Sequence, residues 1–217
     1  MKKIIISIIT FLLIFFIYNG FNNKKINYVS IGDNLINGYN KYVLKYLDNS
    51  NRLGNANTFI NNSIKGLYSD IKKNKTIRSN DNDYFIKKVL RESDILVISI
   101  GMQELFNNYD KYDMNHNYKI LNKIYNDLDI LLNEIRKYAK GTIIFLGYYN
   151  PTNYYDSKTD EFFFNIDIKL NKLMGDDIIY IDLYKLVKGH QYKNKDSIYL
   201  NEDAYKKISN IIEFYID

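Results

Sequence analysis

Five short and nearly continuous apolar runs, separated by longer amphipathic stretches, set the strongest limit on what this chain can fold into. They are Asn27 to Ile31, a weaker run at Thr58 to Ile60, Ile95 to Ile100, Thr142 to Gly147, and Ile178 to Ile181. A strand with one wet face alternates apolar and polar residues, whereas a strand covered by helices on both faces is apolar throughout. Between the third and fourth runs, Ile120, Leu121, Ile124, Leu128, Leu131, Leu132, Ile135 and Tyr138 recur at helical spacing, and the pattern stops before Gly141. A last helix is expected to begin at Asn201, whose side chain can cap it, with Glu202 and Asp203 favourably placed in its first turn. The alternation predicts an α/β fold, a mostly parallel sheet with helices on both faces. Neither an internal repeat nor a Pro/Gly/Ser linker interrupts it, so residues 27–217 are read as one domain, reached through a short linker at 22–26. In such sheets ligands sit beyond the carboxyl ends of the strands, and the segments leaving each strand are where function is sought.

Composition narrows the chemistry. With 217 residues, 46% apolar and 16% aromatic, the chain can build a full-sized core. The formal charge is +5, and setting aside Lys2 and Lys3, which belong to an apolar leader, leaves 28 basic residues against 25 acidic ones. Charges so evenly matched and interspersed describe a solvated surface, and nucleic acid is excluded as a partner. The absence of cysteine removes disulfides, thiolate metal sites, a cysteine nucleophile and a lipid-bearing cysteine. Only His116 and His190 are present, so a histidine-rich metal site is excluded as well, and no cofactor is expected.

The stretch from Ile4 to Phe21 carries no charge and follows Lys2 and Lys3. Its length suits the hydrocarbon layer of a bilayer, and its exit, Tyr18-Asn19-Gly20-Phe21, lacks the small residues of a cleavage site. Residues 1–21 are therefore read as an uncleaved transmembrane anchor. That makes the protein a single-pass protein of the cell membrane with its domain on the extracytoplasmic side.

Four segments carry the functional reading. The first run exits through Gly32-Asp33-Asn34-Leu35, followed by Gly38, and the second through Asn61-Asn62-Ser63-Ile64-Lys65-Gly66. The third exits through Gly101-Met102-Gln103-Glu104-Leu105, and Asp196-Ser197-Ile198-Tyr199-Leu200-Asn201 precedes the final helix. Together with Tyr180-Ile181-Asp182-Leu183-Tyr184, these blocks make residues 26 to 213 resemble the GDSL/SGNH hydrolase family of esterases and acylhydrolases. The resemblance implies a three-layer α/β/α, flavodoxin-like domain.

In that family the first block ends its turn on a serine nucleophile, and the matching residue here is Asn34. A carboxamide has no proton to lose near neutral pH and cannot form the usual acyl-enzyme. The family's second block supplies a glycine N–H to the oxyanion hole, a role the resemblance gives to Gly66. Its third block supplies an asparagine amide, where this chain has Gln103, longer by one methylene. Its fourth block is Asp-x-x-His; Asp196 is kept, but the base position is Tyr199, a phenol with an ordinary pKa of about 10. The family site thus maps onto Asn34, Gly66, Gln103, Asp196 and Tyr199, with the attacking and proton-shuttling atoms changed.

The residues themselves leave other readings open. Gly32, Gly66 and Gly101 are also the residues that sharp strand exits require. Asp33 can tie up backbone N–H groups in its own turn as readily as contact a ligand, and Asp196 can be a simple loop acid. Ser30 and Ser99 lie inside strands, where a hydroxyl packs. Tyr148 and Tyr149 follow the fourth run and border the expected cleft, where a flat phenol face suits a sugar; with Asp33 they form the expected ligand-binding set. His116 reads as a surface residue, and His190 as either a surface residue or a substitute base. The leading expectation is an envelope protein whose ester-hydrolysis centre is degenerate and whose cleft binds an acyl or glycan ligand. An active acylhydrolase with an altered constellation, or a structural or partner-binding module, are the alternatives.

Overall fold

A computed structural model describes residues 24–79, 82–151, 157–190, 192 and 199–216. The chain runs β1 (Ile26–Gly32), α1 (Ile36–Asn49), β2 (Leu53–Ile60), α2 (Ile64–Lys72), β3 (Thr76–Ser79), β4 (Asn82–Phe85), α3 (Ile86–Glu92) and β5 (Ile95–Ser99). It continues through α4 (Met102–Asn107), α5 (Met114–Arg136), β6 (Thr142–Leu146), α6 (Ser157–Met174), β7 (Ile178–Ile181), α7 (Leu183–Val187) and α8 (Glu202–Phe214).

Five strands form one parallel sheet in the order β2-β1-β5-β6-β7. The chain first steps from β1 outward to β2, then crosses back over β1 to β5 and continues to β7. Because such crossovers are right-handed, the reversal sends the first helix to one face and the later ones to the other. Accordingly α1 packs along α8, while α2 packs along α5, which in turn meets α6. The reversal lies between β1 and β5, the place where a doubly wound sheet opens a crevice at its carboxyl edge.

Burial explains why the central strands read as unbroken apolar runs. Every residue of β5 is buried, and β1 departs from this only at Asn27. The strand β2 is an edge strand and starts with Leu53-Gly54-Asn55-Ala56-Asn57, so its 8 residues run well beyond the apolar signal at Thr58 to Ile60. Pairing with β1, from Ile26↔Leu53 to Gly32↔Ile60, supplies what its side chains do not. The antiparallel β3–β4 hairpin is mostly polar and carries no such run, although Ile77 and Tyr84, paired across it, pack against the core. The helix α5 begins at Met114, ahead of the apolar repeat, because Asp113 accepts a hydrogen bond from the N–H of His116 at 2.9 Å and caps a polar first turn. Asn201 caps α8 as its sequence implies, accepting from the N–H of Ala204 at 3.1 Å.

The expectation of an α/β domain led by a transmembrane helix needs correction. Residues 1–21 lie outside the described residues, and among the described residues no helix is long and apolar enough to cross a membrane. The architecture is the three-layer α/β/α domain with its mostly parallel sheet.

Candidate functional site

Three strand exits are stitched together by backbone. The N–H of Asp33 donates to the carbonyl of Ser99 at 2.7 Å, joining the exits of β1 and β5. The N–H of Asn61 donates to the carbonyl of Gly32 at 2.7 Å, joining β2 to β1. Gly32 has φ +142°, and a Cβ there would lie 1.7 Å from the Ser99 carbonyl oxygen, so only glycine fits. Asp33 is fully buried; one carboxylate oxygen accepts from the N–H of Leu35 at 3.1 Å and the other from the N–H of Gln103 at 3.4 Å. Asp33 therefore clamps the β1 turn to the start of α4. Asn34 follows it at the mouth of this knot, half-buried, with its carbonyl turned into the first turn of α1 toward the N–H of Asn37.

Burial pushes the Asp33 carboxyl up to about 6 from an ordinary 3.8, and the hydrogen bonds from Leu35 and Gln103 only partly offset it. The folded protein therefore holds a proton on Asp33 at pH values where the unfolded chain has already lost it. That contributes stability which is complete below about pH 4 and is lost as pH rises through about 6, on the order of 2–3 kcal/mol. Urea unfolding followed from pH 4 to pH 7 should show a smaller loss of stability in Asp33→Asn than in the wild type. Parallel pH profiles for the two proteins would contradict this placement of the carboxyl.

The remaining expected residues fall as follows. Gly66 lies in the first turn of α2, and its N–H donates to the Ser63 hydroxyl oxygen at 3.2 Å as part of the helix cap. Ser63 is held in turn by Asn61, whose side-chain oxygen accepts from the Ser63 N–H at 3.1 Å. A Cβ on Gly66 would sit 2.7 Å from that same oxygen, so close packing under Asn61 accounts for the glycine. The N–H that the resemblance assigns to an oxyanion is thus engaged in the cap.

Gln103 is half-buried on α4, and its side-chain oxygen is buried without a hydrogen-bond partner. Glu104 faces α5, where Lys123 donates to it at 2.8 Å; Lys123 also approaches Asp127, which lies 3.7 Å from Lys65. This chain of charges ties α4 to α2 and α5.

Tyr148 and Tyr149, expected to border the cleft, are both buried. The Tyr148 hydroxyl donates to the carbonyl of Ile100 at 2.8 Å, and a Cβ on Gly101, at φ +96°, would lie 2.0 Å from that hydroxyl. The phenols of Tyr149 and Tyr205 are raised first by burial, and the Asp33 carboxylate adds to the rise in both. Tyr199 is half-buried and packs against the core. Asp196 lies outside the described residues.

His190 is exposed and stacks on Tyr192, with ring centroids 4.9 Å apart. His116 sits at the surface, its Nε2 within hydrogen-bond distance, 3.1 Å, of the Asn108 carbonyl. Ser30 and Ser99 are buried in their strands, and the Ser30 hydroxyl donates to Thr58 at 3.2 Å. Among the described residues no cluster of acidic or histidine side chains could hold a metal ion.

Three residues hold roles that the sequence reading did not assign. Asn61 and Ser63 organise the second exit, and the Asn-x-Ser spacing ahead of an apolar helix is the signal that marks such a turn and cap. Tyr205 packs its ring against Gly38, where a Cβ would lie 2.1 Å from it; a lone glycine inside a helical pattern is the only hint.

No protein-family model and no curated protein sequence matches the chain. Solved structures do. The lipase Lip_vut3 from a goat rumen metagenome superposes with a TM-score of 0.69 at 16% identity, over 86% of this chain and 95% of that one. A mutant of Axe2, an acetyl-xylooligosaccharide esterase from a Geobacillus species, gives 0.66 at 13% identity, over 89% and 95%. A catalytic mutant of Axe2, described as an acetylxylan esterase from Geobacillus stearothermophilus, gives 0.64 at 13% identity over the same shares. At identities this low the likeness is one of backbone, and with the knotted strand exits it assigns this chain the SGNH/GDSL hydrolase fold.

Proposed function

We propose that this protein binds an acylated saccharide at its strand exits and does not hydrolyse it. The observation that carries the reading is the intact backbone knot around Gly32, Asp33 and Ser99 with a carboxamide, Asn34, where a nucleophile would stand. An amide cannot be deprotonated to attack an ester, and Tyr199 cannot take up a proton as an imidazole does. What Asn34 offers instead is a half-buried carboxamide with donors and an acceptor, suited to ester carbonyls and sugar hydroxyls, while Gln103, whose oxygen is buried, has only its amide donors to offer. The structural neighbours include a lipase and enzymes named for acetylated xylan, which favours an acyl group carried on a saccharide.

Calorimetric titration with acetylated xylooligosaccharides should give saturable binding weakened by Asn34→Ala, with no release of acetate above buffer. Acetate release that is abolished by Asn34→Ala or Tyr199→Phe would overturn the reading. An active acylhydrolase built on His190 would instead label with a serine-directed fluorophosphonate. The exposed stacking of His190 on Tyr192 favours the binding reading over that one.

A further inference from the structure

The amino edge of the sheet, opposite the strand exits, gathers charge that the sequence spreads out. The strands are parallel and the helices return against them, so β1 starts at this edge and α2, α3 and α5 end there. Lys24 donates to the Asp94 carboxylate at 3.2 Å, and the N–H of Thr142 to the Asp94 carbonyl at 2.8 Å, which draws the starts of β1, β5 and β6 together. At the corner made by the ends of α2, α3 and α5, four acids each have a lysine of their own. Asp70 pairs with Lys75, Glu92 with Lys88, Asp94 with Lys24 and Glu134 with Lys137, at between 2.5 and 3.9 Å. Lys72, Lys73, Lys87, Arg91 and Lys140 are left with no ion-pair partner among the described residues; all are exposed except Lys87, which is half-buried. Five unpaired cations in one corner exceed the surplus of three basic residues that the whole chain carries beyond Lys3, so the rest of the molecule is acidic on balance.

A cation in the last turn of a helix offsets the helix dipole, which accounts for Lys72 and Arg91. It does not account for Lys87, in the first turn of α3, or for Lys140, beyond the end of α5. A cleft of about 690 Å³ opens beside this corner, lined by Lys24, Arg52, Lys140, Ile26, Thr142 and Tyr215. Next to Tyr215, Phe214 is 76% exposed, the two rings set edge to face with centroids 5.4 Å apart. Cations flanking an exposed aromatic pair match a bilayer surface, where phosphates lie just outside hydrocarbon. A nucleic acid would match the charge but leave Phe214 in water. The chain also enters this edge at Lys24, shortly after the uncharged stretch Ile4 to Phe21. We propose that the amino edge of the sheet docks on a bilayer containing anionic phospholipid, with Lys73, Arg91 and Lys140 against the headgroups and Phe214 reaching the first acyl carbons. The strand exits then face away from the lipid. The inference does not rest on the reading of those exits.

The chain contains no tryptophan, so Phe214→Trp gives a single reporter in the full-length protein. It is mixed with phosphatidylcholine vesicles, with or without about 30% phosphatidylglycerol, whose brominated acyl chains quench tryptophan on contact. Emission should fall about twofold or more with the anionic vesicles and stay at the lipid-free level with the neutral ones. Salt at about 1 M, or the combination Lys73→Gln, Arg91→Gln, Lys140→Gln, should restore it. Lys41→Gln, Lys119→Gln and Lys206→Gln, near the starts of α1, α5 and α8, should not. A separate Tyr112→Trp protein, its reporter in the exposed loop before α5 at the opposite end, should stay bright throughout. No quenching, equal quenching by neutral vesicles, quenching that survives the triple neutralisation, or quenching of the Tyr112→Trp protein instead would each overturn the proposal. Recovery of emission on adding single-stranded DNA at equal phosphate would assign the face to a polyanion and overturn it too.

Discussion

Ester hydrolysis is expected to appear when Asn34→Ser, Gln103→Asn and Tyr199→His are combined, by roughly a hundredfold or more over the wild type on short p-nitrophenyl esters. The serine restores an atom that can attack, and the histidine restores a base with a pKa near the assay pH. Asparagine draws the amide donor back by one methylene. The backbone that must present the serine is already in place, since the turn is held by the Asp33 N–H on Ser99 and by the Asp33 carboxylate on Leu35 and Gln103. The gain is limited because the Gly66 N–H is spent on the Ser63 cap, and a missing oxyanion donor costs on the order of a hundredfold. Adding Ser63→Ala, which frees that N–H, should raise turnover further at a cost of about 1 kcal/mol in helix stability. A folded triple variant with wild-type background rates would remove the match between these three positions and a catalytic site.

Gly32→Ala is expected to destabilise the fold by roughly 3–5 kcal/mol. Two costs combine: a backbone at φ +142°, and a Cβ driven to 1.7 Å from the Ser99 carbonyl, a backbone atom with no side-chain freedom to yield. Gly189→Ala separates them. Gly189 also has a positive φ, +78°, but no atom lies within 4 Å of its Cβ position, so it should show the conformational cost alone, about 1 kcal/mol. Chemical denaturation of the two variants gives the difference directly. Equal losses would mean that β1 and β5 do not approach as closely as described.

How much of this was legible beforehand depended on whether side chains or backbone carried the signal. The four central and edge strands with apolar runs were readable within a residue or two, and Ile178–Ile181 coincides with its run, because most of their side chains are apolar and buried. The first half of β2 was hidden because its pairing with β1 is made by main-chain atoms under Asn and Gly side chains. The polar β3–β4 hairpin was hidden for the same reason. At the site, Gly32, Asp33 and Gly101 were readable as turn residues because left-handed or crowded backbone demands them. The inward direction of Tyr148 and Tyr149 was not, since period-two reasoning lapses once a strand ends. Nor did sequence distinguish a glycine N–H aimed at a ligand from one closing a helix cap, a difference that at Gly66 turns on the hydroxyl of Ser63.

The knot at the strand exits is tied by peptide groups, one buried acid and a glycine, and it needs nothing from the side chain of residue 34. Natural selection for a well-folded molecule is therefore blind to whichever group occupies that perch. Reactivity can drift away, or return, through a handful of codon changes while the architecture stands still, so lineages with this scaffold should switch between cutting and holding more readily than they change shape.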